Sequence, residues 1–211
     1  TLILLGMLFI SGERIPRLLL IGGICLAAII ALALLRPTLL LRLTAFLDPF
    51  SAAHYRGLGW QPAHSRMALA TGGVFGVGLG GSRQKWGNLG PEAHTDFLLA
   101  ITGEELGLVG VSFLLVLQII LVTTVMRISY QALARHQTRL SYFAFGVGIL
   151  FFGQIFVNAG MTMGMLPTKG LTMPFFSYGG SSMVVNLIIV GLLMRIIKES
   201  PTIPANQCRY Y

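Results

Sequence analysis

The chain has 211 residues, of which 55% are hydrophobic and only 10% charged, and its mean hydropathy is +0.77. Soluble domains carry roughly 25% charged residues, so this composition excludes a soluble globular protein and describes an integral membrane one. Fifteen Lys and Arg against seven Asp and Glu give a net charge of +8; in such a chain excess base marks loops on the cytoplasmic side, not a nucleic-acid surface.

In chain order, Thr1–Ser11 reads as a helix remnant too short to span a bilayer. Because the chain opens inside an apolar helix, it is expected to be a fragment lacking N-terminal membrane segments. Leu18–Leu35 supplies a full crossing. Thr38–Phe50 mixes Leu with Arg42 and ends at Asp48-Pro49, as a surface amphipathic turn or short interfacial helix does. Met67–Ser82 holds six glycines and is open to two readings, a re-entrant loop or a thin crossing packed by small residues. Leu106–Met126, Leu140–Thr168 and Leu171–Met194 supply 21, 29 and 24 uncharged or nearly uncharged residues. Each is long enough to cross, and the last two must yield residues to the loop between them.

Loop charge selects the crossing over Met67–Ser82. It then groups Arg36, Arg42, Arg56, Arg66, Arg127, Arg135, Arg139, Arg195, Lys198 and Arg209 on one side, leaving Arg14, Arg17, Arg83, Lys85 and Lys169 on the other. That asymmetry is the positive-inside bias. The expectation is an all-α polytopic membrane protein, a single transmembrane domain over 1–211 with about six crossings, the first truncated. Extracytoplasmic loops are expected at about 83–104 and 164–176. Cys25 lies in an apolar run and Cys208 in the tail, so neither a disulfide framework nor a zinc spacing is visible.

Four of the seven carboxylates, Glu92, Asp96, Glu104 and Glu105, fall between Gly90 and Gly110, at the lip of an apolar segment. Carboxylates there are costly unless they face a cavity, a partner or water. His94-Thr95-Asp96 offers too few ligands for a metal site; a catalytic acid and a helix N-cap are equally supported by its residue chemistry. Glu104 and Glu105 point about 100° apart on a helix, and dipole complementation at a helix start accounts for them better than catalysis; a coupling-ion site is the alternative. Gln154 and Asn158 share a helix face and read as interhelical glue. Met165–Ser182 is broken by Pro167, Pro174 and several glycines, and carries one charge, Lys169. Irregular backbone near a membrane is tolerated where protein or a wet cavity covers it. A cation on such a loop, across from carboxylates, suits a pyrophosphate better than a snorkelling anchor.

PEAHTDF followed by GEELG, then GMLPTKGLTMPFFSYGGSS, resembles the SEDS family (shape, elongation, division and sporulation), and FLDPF at Phe46–Phe50 matches its cytoplasmic segment. The PTKGLT form is more similar to the division member than to the elongation member. The resemblance covers essentially the whole chain, as the C-terminal portion of a ten-helix bundle. It implies a glycosyltransferase that polymerises lipid II into glycan strands at the outer face of the bacterial cytoplasmic membrane, at the division septum. It places the essential acid at Asp96, acting as a base on a sugar hydroxyl. Lys169 is then the first candidate for the departing pyrophosphate, with Arg83 and Lys85 behind it, and His94 and Glu92 orient Asp96 or substrate. A divalent cation has room in such a mechanism, although the sequence shows no closed site for one. The implied partners are lipid II, the growing strand, a class B penicillin-binding protein and other division proteins. A lipid II flippase working through Glu104 or Glu105, and a non-catalytic division scaffold, are the rival readings. One departure is Gly90, which separates Leu89 from Pro91 where members have Leu directly before PEAHTD; it bears on the register of Arg83, Gln84 and Lys85.

Overall fold

A computed structural model describes residues 6–7, 15–35, 37–52, 54–55, 57–86, 89–90, 93–168 and 170–199. The remnant expected over Thr1–Ser11 lies largely outside these residues, as do Glu92, Lys169 and Cys208. The described residues form helices and no strands: α1 (Ile15–Leu35), α2 (Pro37–Leu47), α3 (Trp60–Gly72), α4 (Leu98–Ala134), α5 (Thr138–Thr162) and α6 (Gly180–Glu199). Among the described residues α4, α5 and α6 are long and apolar enough to cross a membrane, and the chain is a multi-pass membrane protein. The 21-residue α1 covers the run Leu18–Leu35 expected to cross but is not one of those three, and α2 is the short helix expected before Asp48-Pro49.

The three long helices share one apolar seam. Val125, Ile128 and Ala132 of α4 meet Ala144, Val147 and Phe151 of α5, and Leu193 and Ile196 of α6 close it. Their outer faces carry exposed apolar side chains such as Phe113, Phe156 and Ile188, as helices facing lipid tails do. Small polar groups tie the seam at the α4–α5 hairpin, where Ser129 Oγ donates to the Ser141 carbonyl at 2.9 Å.

Helix α4 has 37 residues, about 55 Å at 1.5 Å per residue, and it is not straight. Gly107 takes φ 67° and ψ −162° within it, a conformation other residues rarely adopt. The broken helical ladder is repaired from outside. Leu108 and Val109 donate their N–H groups to the Gly73 and Val74 carbonyls at 2.9 and 3.2 Å, while Val77 and Gly78 donate to the Glu104 and Glu105 carbonyls at 2.9 and 3.0 Å. A Cβ at Gly72, Gly76 or Gly107 would run into the opposing backbone, so the glycines permit main chain to dock on main chain.

This junction corrects the expectation for Met67–Ser82. Only its first residues, to Gly72, are helical; the helix starts earlier, at Trp60, and the remainder is irregular. Nor does α3 pass through the bundle. Midway along α3, Ser65 Oγ donates to the Thr162 carbonyl at 3.0 Å and the Arg66 guanidinium to the Phe46 and Gly164 carbonyls at 3.1 and 3.3 Å. At its end Gly72 abuts Gly103. Thr162 closes α5 and Gly103 lies in the first turns of α4, so α3 from its middle to its last residue touches one end of the bundle, and Gln61 near its start lies beside Gly90 in the turn that precedes α4. The charge partition that set Arg66 opposite Arg83 and Lys85 is overturned by these contacts. The glycine pattern signals a close backbone approach, and loop charge could not tell that from a thin crossing.

The other two long runs give up residues to the loop between them as expected. Helix α5 stops at Thr162 and α6 starts at Gly180, with Gly164 at φ 74° turning the chain out of α5.

Candidate active site

Asp96 lies on the turn that feeds α4. Ala93 and Phe97 on either side are buried with Ala68, Leu89, Ala100 and Ile101. Thr95 and Asp96 are half-buried between those anchors, and His94 is exposed. The N-cap position of α4 falls on Phe97, so neither Thr95 nor Asp96 occupies the cap considered from the sequence. Gly90 adopts φ 74°, and Leu89 donates its N–H to the Gln84 carbonyl at 3.2 Å. The additional glycine thus takes a left-handed conformation directly after Leu89, whose N–H reaches back to Gln84.

The irregular segment 163–179 packs onto this turn. Asn158 of α5 donates both amide protons, one to the Asp96 carbonyl at 3.0 Å and one to the Leu171 carbonyl at 2.7 Å. Tyr178 donates its N–H to the His94 carbonyl at 3.1 Å, and the two rings meet edge-on at 5.4 Å. Asp96 Oδ2 lies over Gly170, where a Cβ would stand only 3.0 Å from it. The absence of a side chain at Gly170 therefore leaves room for the carboxylate. Glu92 and Lys169 lie outside the described residues, although their neighbours Ala93 and Gly170 both belong to this contact zone.

Glu104 and Glu105 resolve differently. Glu104 is 1% exposed, yet its oxygens accept from Ser82 Oγ at 2.5 Å and from the N–H groups of Arg83 and Gln84 at 3.0 and 3.2 Å. A carboxylate is tolerated in such a place when its lone pairs are filled by donors. It pins the turn 82–85 to the start of α4. Glu105 pairs with Lys85, Nζ to Oε1 at 2.6 Å, and the same ammonium sits 5.4 Å from the centre of the Trp86 ring. Lys85 is thereby engaged within the fold. Arg83 is exposed and, with Thr71, Val77, Gly81 and Glu104, lines a cavity of about 380 Å³.

The structure thus brings together Asp96, His94 and the loop bearing Gly170, and sets Arg83 and Lys85 in the neighbouring Glu104–Glu105 cluster. Residue reasoning missed three members of this end. Arg66 and Ser65 fasten α3 to the close of α5, and His64 Nδ1 meets Gln84 Oε1 at 2.7 Å. No spacing in the sequence couples positions so far apart. Asn158 carried a signal, its i, i+4 pairing with Gln154, but not its target. Among the described residues no group of three or more His, Cys, Asp or Glu is placed to hold a metal ion. An apolar groove of about 550 Å³ runs along α4 and against the 170–179 segment, lined by Leu106, Phe113, Leu117, Phe175 and Phe176 among others.

Residues 1–202 match the family of cell cycle proteins that groups FtsW, RodA and SpoVE. The chain is 43% identical over 200 residues to the "Probable peptidoglycan glycosyltransferase FtsW" of Coxiella burnetii, covering 95% of this chain and 53% of that protein. It is 46% identical over 191 residues to the protein of the same name from Tolumonas auensis, covering 90% of this chain and 49% of the relative. The chain thus spans about half the length of the curated relatives it matches. A solved chain from a peptidoglycan synthase complex that coordinates polymerization and crosslinking superposes with a TM-score of 0.71 at 28% identity, over 96% of this chain and 55% of that one.

Proposed function

The chain belongs to the FtsW, RodA and SpoVE family of cell cycle proteins, and from that premise we propose that it carries the catalytic end of a peptidoglycan glycosyltransferase that polymerises lipid II during cell division. The observation that carries the reading is the seating of Asp96 Oδ2 over Gly170, which sets a half-buried carboxylate against the loop whose preceding residue is Lys169. A base and a cation are what the reaction needs. Asp96 takes the proton from the sugar 4-hydroxyl of one lipid-linked disaccharide. That oxygen bonds to the anomeric carbon of the other chain, and the bond from that carbon to the polyprenyl pyrophosphate breaks. A positioned carboxylate contributes roughly 10²–10⁴-fold as general base, and Lys169 stabilises the charge gathering on the leaving pyrophosphate. His94, exposed beside Asp96, and Glu92 orient the base or the sugar, and Arg83 is the second cation within reach of the head group. The apolar groove along α4 supports a substrate with a long hydrocarbon tail.

The partner in this reading is a class B penicillin-binding protein acting with other division proteins, in the cytoplasmic membrane at the septum. The flippase alternative requires Glu104 or Glu105 as an exchangeable carboxylate. Glu104 is held by backbone donors and Ser82, and Glu105 by Lys85, which favours the enzyme. Purified full-length protein with its partner, given radiolabelled lipid II, is expected to produce glycan strands. Transbilayer movement of lipid II without strands would replace the reading with the flippase, and neither activity would leave the scaffold.

A further inference from the structure

Asn158 sits where α5 passes beneath the site, 1% exposed. Its Nδ2 spans two segments that are far apart in sequence, the turn holding Asp96 and the loop holding Gly170 and Leu171. The orientation of the amide is fixed by chemistry, since a flip would turn its oxygen toward two carbonyl oxygens. Oδ1 itself is buried with no hydrogen-bond partner. A buried polar atom left unsatisfied is costly, so the side chain is kept for its two donors. Neither bond touches the Asp96 carboxylate; both act on backbone. They fix how far the backbone bearing the acid stands from that of the opposing loop.

We propose that Asn158 is a positioning residue for glycosyl transfer, acting through the Asp96 backbone to hold the carboxylate against the 170–171 loop. The inference rests on the reading of Asp96 as the base. Misplacement of a reacting group by about 1 Å costs roughly 10²-fold in rate, and the Asn158 amide, beside the Tyr178–His94 backbone bond, bridges the two segments and binds the backbone of Asp96 itself. Its influence falls on turnover, because sugar and lipid contacts elsewhere remain in place.

The test uses the full-length protein with radiolabelled lipid II, comparing Asn158→Ala, Asn158→Asp and Asp96→Asn, each normalised to the folded fraction from its melting curve. Asn158→Asp keeps the volume but donates to neither carbonyl when ionised and to one at most when protonated. Both Asn158 variants are expected to lower kcat about 10–100-fold while KM stays within about threefold, and to displace the acid limb of the pH–rate profile. Loss of folded protein alone would scale that profile equally at every pH. Wild-type kcat and an unmoved acid limb in folded Asn158→Asp, with Asp96→Asn inactive, would overturn the role of Asn158 and leave the base in place. A fully active Asp96→Asn would instead remove the reading beneath it.

Discussion

Asp96 and Glu104 stand eight residues apart, and their surroundings differ. Glu104 is consumed by Ser82, Arg83 and Gln84, so its removal leaves buried donors unpaired, at about 1–3 kcal/mol each. Glu104→Ala is therefore expected to lower the melting temperature clearly. Glu105→Gln removes the charge of the partly exposed pair with Lys85, a kind of contact with about 0–1 kcal/mol at stake, while its amide oxygen can still accept from the Gly80 and Ser82 N–H groups that the carboxylate engages, and it should melt closer to wild type than Glu104→Ala. Equal melting of the two variants would refute the anchoring role. For Lys169 the expectation is kinetic: Lys169→Ala slows turnover more than it reduces membrane insertion, and Lys169→Arg recovers part of the rate because charge is kept while geometry changes. Wild-type turnover in Lys169→Ala would reduce it to an interfacial anchor.

The glycine junction decides the architecture of the elements around the site. Gly76→Ala and Gly107→Ala each place a Cβ into opposing backbone at a positive φ, and backbone strain of this kind costs about 1–3 kcal/mol. Gly191 has open space around its Cβ position and lies inside α6, so Gly191→Ala is expected to be neutral or slightly stabilising. Melting curves of the three variants check this ordering. The positive-φ turns and the Gly107 kink explain why the sequence misled here. Six glycines in sixteen residues are compatible with small-residue helix packing, and only the partner backbone around Gly107 shows that they serve a docked loop. Side-specific labelling tests the corrected path. In a Cys25→Ala, Cys208→Ala background, Leu58→Cys and Trp86→Cys should react together with an impermeant maleimide in intact cells, and Thr138→Cys should not. Leu58→Cys behaving like Thr138→Cys would restore the crossing over Met67–Ser82.

For the molecule as a whole, the parts written in local pattern were legible: the apolar lengths of α4, α5 and α6 and the helix break between Thr162 and Gly180. The parts made by distant contacts were not. Arg66 reaching Gly164, Glu104 holding Ser82 and Asn158 joining Asp96 to Leu171 depend on which segments fold against each other, and no periodicity encodes that. These contacts gather one end of the bundle around Asp96. Substituting Asp96 in the full-length protein addresses the central claim most directly. Asparagine keeps the size, and its side-chain oxygen still accepts hydrogen bonds, but it cannot take the hydroxyl proton. Glycan strands made from labelled lipid II are measured beside lipid II binding and melting temperature. The account predicts that Asp96→Asn folds and binds lipid II but makes no strands, with Asp96→Glu impaired through displacement of the carboxylate. Normal strand synthesis by a stably folded Asp96→Asn variant would contradict it.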